Sequence, residues 1–406
     1  MALKGVIFGI DNVLATSSGS GTNQLPEIKK LLDFLKLKGV QPVVLSNRNW
    51  TANNGTQTLQ SIYDQFVYQF PWFISSIDST VPRKPGADAV AHVLKKMNWS
   101  TSEVVYIGNN DSDMQSAVNG KVLFLNAQWY DASQTYGLKF QTPKEVARFI
   151  DVFALRNYFW HYSVQGQECE FYSLGTYGKL EPKYAGITED AFQAAKFGRG
   201  HPDFWIKYLL STVYFSGLKF NYIATFPSSK KGIAPPSSMQ QTVVEFTKCF
   251  RTTYIPDLIV RHQDCIKSAY ARRAGQTLDH ENQLNTINIT KFPERKPGLL
   301  YKANPLVSGK TVLVIDDFCT QGYAQEAARL FIRQTGAKAI GLTLLKTINR
   351  GYREINNCNQ LRFDPFQANT FQNVSFTEHP YAGSIIDPTE AEIQSKLSRY
   401  DTWDWP

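Results

Sequence analysis

Apolar and polar positions follow the alternating strand–helix rhythm of an α/β chain. Gly5 to Ile10 is a short apolar run that predicts a strand, and a polar, Gly/Ser-rich loop follows through Thr22. A helix comes next, with Pro26 in its first turn, Ile28, Leu31, Leu32 and Leu35 at i, i+3, i+4 and i+7, and Gly39 as its stop. Strand-like runs recur at Pro42–Leu45, Val104–Ile107 and Lys121–Leu125, and a helix with Val90, Val93, Leu94 and Met97 on one face precedes the run at Val104. The βαβα order predicts a mainly parallel sheet covered by helices.

Residues 151–215 are aromatic and Gly-punctuated and give no clear pattern. From Phe220 the alternation resumes, with apolar runs at Phe220–Phe226, Pro256–Val260, Thr311–Ile315 and Ala339–Leu345. A helix with Ala324, Ala327, Ala328 and Phe331 at helical spacing follows the third run and stops at Gly336. Segment 264–305 is long, polar and basic (Arg272, Arg273, Lys291, Arg295, Lys296), as functional or mobile loops of α/β domains are. Thr377–Pro406 reads as a partly helical appendage ending in the aromatic tail Trp403–Trp405. The expected organisation is two α/β domains, each a mainly parallel sheet flanked by helices. They are placed at 1–150 and 216–376, with a connector or hood at 151–215 and an appendage at 377–406.

A length of 406 residues suits two or three domains, and 43% hydrophobic residues fill sizeable cores, which excludes a largely disordered chain. The net charge of +8 fits a binder of phosphate groups, but no dense basic tail marks a specific nucleic-acid partner. Five scattered cysteines without a CxxC pair predict reduced thiols and a cytoplasmic protein. No run approaches 18 apolar residues and the start leads straight into a strand, so neither a membrane partner nor a signal peptide is expected.

The strongest chemical signal is Val312-Leu-Val-Ile-Asp316-Asp317-Phe-Cys-Thr320-Gln-Gly322-Tyr-Ala. An apolar strand ends in two carboxylates, and a short turn leads directly into a helix. That order puts acceptors for sugar hydroxyls beside backbone N–H donors for a phosphate. The stretch resembles the signature of type I phosphoribosyltransferases over about residues 200–350. The resemblance implies that Asp316 and Asp317 hold the ribose hydroxyls and that Thr320, Gln321, Gly322, Tyr323 and Ala324 hold the 5′-phosphate of 5-phosphoribosyl 1-pyrophosphate (PRPP). Gln321 and Ala324 stand where the family has hydroxyl residues, which removes one or two side-chain contacts and leaves the backbone ones. Upstream, Ser228, Ser229, Lys230, Lys231 and Gly232 fall where the family grips pyrophosphate. Arg261 matches the strand-end arginine, and the mobile catalytic loop follows it with Lys267. The order of Arg261, a polar hood, Asn282–Asn285 and the double Asp is similar to the ComF-like branch. Mg2+, held near Asp316 and Asp317 mostly through water and substrate, is the implied cofactor, and PRPP or a nucleotide and a nitrogenous base are the implied small-molecule partners.

The first half carries Phe8-Gly9-Ile10-Asp11, Val43-Val-Leu-Ser46-Asn47, Arg83-Lys84-Pro85 and Ile107-Gly-Asn109-Asn-Asp111-Ser-Asp113. Together they resemble the four motifs of haloacid-dehalogenase-like (HAD-like) hydrolases, with no room for a large cap. The resemblance puts the acid/base Asp at Asp11, the phosphate-binding hydroxyl at Ser46, the stabilising cation at Lys84, and the magnesium motif at Asn109 and Asp113. Gly9 occupies the nucleophile position and has no oxygen with which to form an aspartyl-phosphate. Asn109 takes one carboxylate away from the metal site. The expectation is a phosphoribosyltransferase fused to a catalytically impaired HAD-like domain that binds a partner or a second copy. The alternatives are a PRPP or nucleotide sensor and a residual phosphatase.

Overall fold

The computed structural model describes residues 3–16, 24–52, 55–178, 185–233, 237–250, 252–266, 271, 274–276, 278–359, 362–386 and 388–406. Strands β1 (Gly5–Phe8), β2 (Gln41–Ser46), β3 (Trp72–Ile74), β4 (Val104–Gly108), β5 (Leu123–Ala127) and β6 (Leu138–Phe140) form the first sheet. Its order is β3-β2-β1-β4-β5-β6, and every neighbouring pair is parallel. Alternation along β1 sends Val6 and Phe8 toward the cluster containing helix α1 (Leu25–Leu37), and Ile7 toward the cluster containing α2 (Ala87–Met97). Both faces are covered, as the near-continuous apolar strands require.

The second sheet uses β7 (Tyr162–Gln165), β8 (Glu170–Tyr177), β9 (Tyr222–Thr225) and β10 (Thr253–Tyr254). A separate antiparallel hairpin pairs β11 (Ile259–Arg261) with β12 (Ile287–Ile289), and the sheet is completed by β13 (Thr311–Cys319) and β14 (Lys338–Thr347). Sheet order is β10-β9-β13-β14-β8-β7, parallel throughout except for the edge strand β7. Helices α3 (Ala185–Phe197), α4 (Pro202–Phe215) and α5 (Ser237–Cys249) pack on the face carrying Ile223, Leu313 and Ile315. Helix α6 (Tyr323–Gln334) covers Ala224, Val312 and Val314 with Ala327, Ala328 and Phe331.

The two halves share one core that includes Phe153, Phe204 and Tyr400. The C-terminal tail follows helix α7 (Pro388–Ser398) and returns to the first half. There Trp403 and Trp405 meet Phe34 edge-on, and the Trp403 indole donates to Asp151 Oδ2 at 3.0 Å. No helix among the described residues is long and apolar enough to cross a membrane.

Three sequence expectations change. Residues 151–215, expected to be a connector or hood, supply two strands of the second sheet and two helices against it. Segment 264–305, expected to be a long loop, contains the short helix Glu281–Leu284, strand β12 and the hairpin Glu294–Lys296/Leu299–Leu300. The strand expected at Thr311–Ile315 runs on to Cys319, because Asp316, Phe318 and Cys319 keep their register with Thr343, Leu345 and Lys346. The two acids therefore sit on a strand end braced by its neighbour.

Candidate functional site

In the second sheet, β9 leads through α5 to the edge strand β10, while β13 leads through α6 to β14 on the other side. The chain thus diverges from two adjacent strands, and outside their carboxyl ends lies the crevice that such a reversal creates. A cavity of about 530 Å3 occupies this position, lined by Ser228 and Ser229 after β9, Asp316 and Asp317 on β13, and residues 320–325 of the turn into α6. A crevice of this size at a switch point is the default binding site of an α/β fold.

Burial pushes the Asp316 carboxyl up to about 7, against the pull of the Lys196 and Arg261 cations. Its Oδ1 accepts the Asp317 backbone N–H at 2.8 Å. Asp317 forms an ion pair with Lys196, at the end of α3. Lys196 was missed in the sequence because its segment gave no pattern. The spacing of Ile187, Ala191, Ala194 and Ala195 is the helical signal that could have found the element, but not the contact.

The turn from β13 to α6 is only Thr320–Gly322. Gly322 holds φ +88° at the helix N-cap, and a Cβ there would lie 2.5 Å from the Tyr352 ring, so the position demands glycine on two counts. Side chains of the turn face away from a phosphate role. The Thr320 hydroxyl lies 3.2 Å from that of Thr347, and the Gln321 amide lies 3.1 Å from the Tyr323 hydroxyl. What remains toward the cavity is backbone at the start of a twelve-residue helix, with its free N–H groups.

Arg261 lines the cavity yet is only 6% exposed. Its guanidinium donates to Ser228 O at 2.6 Å, to Gln283 Oε1 at 2.9 Å and to the Thr286 hydroxyl. It therefore clamps the 228–229 loop to the β11–β12 hairpin. Lys230 and Lys231 are not among the lining residues. Lys230 pairs with Asp264 at 2.7 Å, and the Lys231 backbone N–H donates to the same carboxylate at 2.8 Å. Gly232, at φ +71°, has open space around it and also lies off the cavity lining. Lys267, Arg272 and Arg273 lie outside the described residues.

The first sheet diverges in the same way between β1 and β4, but its crevice is filled by protein. Asp113 is 0% exposed; its Oδ1 accepts from Lys84 Nζ at 2.5 Å and from the Tyr106 hydroxyl at 2.9 Å. Its Oδ2 lies 2.3 Å from where a Cβ on Gly9 would be. A carboxylate at position 9 would collide with a carboxylate already in place. Asn109 donates to the Ala127 and Asp131 carbonyls, Ser46 Oγ donates to Arg48 O at 2.8 Å, and Asp11 is paired with Arg48 at 2.8 Å.

The residues here do not fit Mg2+: the one buried carboxylate is already neutralised by an ammonium, and the partner acid is an amide. In the second crevice Asp316 and Asp317 line the cavity wall, but Asp317 is paired with Lys196, so a cation could share these oxygens with substrate only once that ion pair opens. Among the described residues no group of three His, Cys, Asp or Glu forms a protein-only cage.

Residues 13–120 match the family model for haloacid dehalogenase-like hydrolase, about a quarter of the chain. The chain carries a HAD-like hydrolase domain there, and the matched span begins after Gly9 and Asp11. A HAD-superfamily hydrolase, subfamily IA, variant 1, from Geobacter sulfurreducens is 15% identical with a TM-score of 0.27, over 36% of this chain and 98% of that one. An uncharacterized protein from Listeria monocytogenes is 16% identical with a TM-score of 0.29, over 36% of this chain and 95% of that one. A HAD-superfamily hydrolase from Ehrlichia chaffeensis is 25% identical with a TM-score of 0.25, over 31% of this chain and 56% of its own. No curated protein matches the chain.

Proposed function

We propose that the second half is a phosphoribosyltransferase that uses PRPP to transfer phosphoribose to, or from, a nitrogenous base. The observation that supports this reading most is the 530 Å3 crevice in which two strand-end acids face a helix-start turn across one cavity. A sugar phosphate needs acceptors for its hydroxyls and N–H donors for its phosphate a few ångströms apart, and this rim supplies both.

In this reading Asp316 and Asp317 accept hydrogen bonds from the ribose hydroxyls, and the backbone of Thr320–Ala324 holds the 5′-phosphate. Ser228 and Ser229 flank the pyrophosphate, with Arg261 fixing their loop. The C1–O bond to pyrophosphate breaks as a C1–N bond to the base forms; pyrophosphate leaves with the electron pair and the base gives its proton to water. Positive charge builds on C1 in the transition state, so the two carboxylates stabilise it and no protein nucleophile is required. Asp316 and Asp317, with substrate oxygens and water, would hold a Mg2+ ion, which would supply charge neutralisation for the leaving pyrophosphate.

The HAD-like match raises the possibility of phosphatase chemistry in the first half. Position 9 carries no oxygen, and Asp113 with Lys84 closes the site, so we assign that half a scaffold or partner-binding role, including contact with a second copy. PRPP or nucleotide sensing without turnover is a second reading, favoured by Gln321 and Ala324 in place of the hydroxyl residues of the 5′-phosphate turn. In either reading the Lys196–Asp317 ion pair must open before Asp317 meets a ribose.

Pyrophosphate release by the full chain, measured with PRPP, Mg2+ and a panel of purine and pyrimidine bases, tests the proposal. At least one base is expected to give turnover. Saturable PRPP binding with no turnover on any base would leave the sensor reading. Hydrolysis of a phosphomonoester that disappears in Asp11→Asn would contradict the role given to the first half.

A further inference from the structure

The turn at Thr320–Gly322 offers a phosphate little from its side chains, yet a cation lies directly behind it. Lys346, on β14, is 0% exposed. Its Nζ donates to Thr320 O at 2.6 Å and to Arg350 O, and lies 3.5 Å from the carbonyls of Thr347 and Gly351. The Tyr162 and Tyr381 rings stand 4.9 and 5.6 Å away. Among the described residues no carboxylate forms an ion pair with it. An ammonium taken out of water without a counter-ion is costly, and peptide carbonyls compensate only part of that cost. A charge left unbalanced next to an anion site is balanced when the anion arrives.

The peptide geometry links the two. The bond from Thr320 to Gln321 is trans, so its C=O and N–H point in opposite directions. Lys346 holds the Thr320 carbonyl, so the Gln321 N–H of the same peptide points away from the ammonium, and Gln321 lines the crevice. We infer that Lys346 is a positioning and charge-balancing residue for the phosphate group held at the Thr320–Ala324 turn, acting through the Thr320 peptide. This rests on the sugar-phosphate reading of the crevice. It also accounts for how a turn with Gln321 and Ala324 in place of hydroxyl residues can hold a dianion: a buried charge replaces side-chain contacts.

Burial lowers the pKa of Lys346 below the ordinary lysine value. The Cys319 thiol opposes that shift and Arg350 adds to it, while the Tyr162 and Tyr381 rings complete the surroundings. Only the protonated ammonium balances an anion, so affinity falls as pH rises through this lowered pKa. An arginine in its place keeps its proton.

Calorimetric titration of the full chain with ribose 5-phosphate, without Mg2+, between pH 7 and pH 10 tests the inference. Ionisation of Asp316 near pH 7 acts on both chains alike; the unaltered chain is expected to lose further affinity toward the alkaline end, and Lys346→Arg is expected to escape that second loss. Lys346→Met should bind roughly tenfold more weakly, or worse, at pH 7.5, as loss of a charge-assisted contact implies. Should Lys346→Met fail to fold, the arginine comparison decides alone. Equal affinity in a folded Lys346→Met chain, or parallel pH profiles for the unaltered and arginine chains, overturns the inference and leaves the crevice reading standing. No binding of ribose 5-phosphate by the unaltered chain overturns both.

Discussion

If the second half is the transferase proposed above, replacing Asp316 and Asp317 together by asparagine is expected to lower pyrophosphate release by about 10^2- to 10^4-fold. In that proposal each carboxylate supplies a charge-assisted hydrogen bond to a ribose hydroxyl, worth roughly 1.5–3 kcal/mol, and both would also stabilise the cationic transition state. The loss is expected in kcat as well as KM, because charge on C1 develops only in the transition state. Asp316 also costs the ligand-free protein stability. Burial raises the Asp316 pKa to about 7, well above its unfolded value near 3.9, so the folded chain binds the extra proton between those two values. Stability therefore falls as pH rises through that window, and the cost is fully present above about 7. Asp316→Asn alone should raise the thermal midpoint at pH 8 and do little at pH 4. A chain that loses activity and gains stability at one position has an active-site acid there. If the double variant keeps full activity, the catalytic acids lie elsewhere.

The second large effect lies in the first half. Lys84→Met leaves Asp113, 0% exposed, without its cation. Breaking a buried pair on one side costs about 3–5 kcal/mol, and denaturant unfolding of the full chain should show a loss of that order. Adding Asp113→Asn to Lys84→Met removes the stranded charge, so the double variant is expected to recover most of the stability. A neutral Lys84→Met would mean that Lys84 is free for a phosphate, and the filled crevice would no longer argue against hydrolysis.

The parts of this architecture that the sequence revealed are those whose information is local. Ile28, Leu31, Leu32 and Leu35 announce α1 by spacing alone, and the apolar run before Asp316 announces β13 with the acids at its end. Gly322 was legible as part of the turn between strand and helix, though its φ of +88° and the Tyr352 ring against it belong to the fold. Gly9 was legible as a missing nucleophile, though the reason it cannot be otherwise, Asp113 Oδ2 in its space, belongs to the fold.

What the sequence hid depends on residues far apart in the chain. Glu170–Tyr177 is an inner strand that pairs with β14, more than 160 positions later, so its partner is invisible to any local window. Lys196 reaches Asp317 across 121 positions, and Lys230, which reads as a free cation beside the pyrophosphate loop, is bound to Asp264. Arg261 was legible as a strand-end cation, but not as the clamp on the Ser228 loop, because Gln283 and Thr286, from the short helix and the residue just before β12, lie more than 20 positions along the chain.

The most direct measurement is a calorimetric titration of the full-length protein with PRPP and Mg2+. Saturable one-to-one binding is expected, which ribose 5-phosphate displaces, Asp316→Asn with Asp317→Asn removes, and Asp11→Asn leaves unchanged. Absence of saturable binding, or binding that survives in the double asparagine chain, would contradict the sugar-phosphate reading of the crevice.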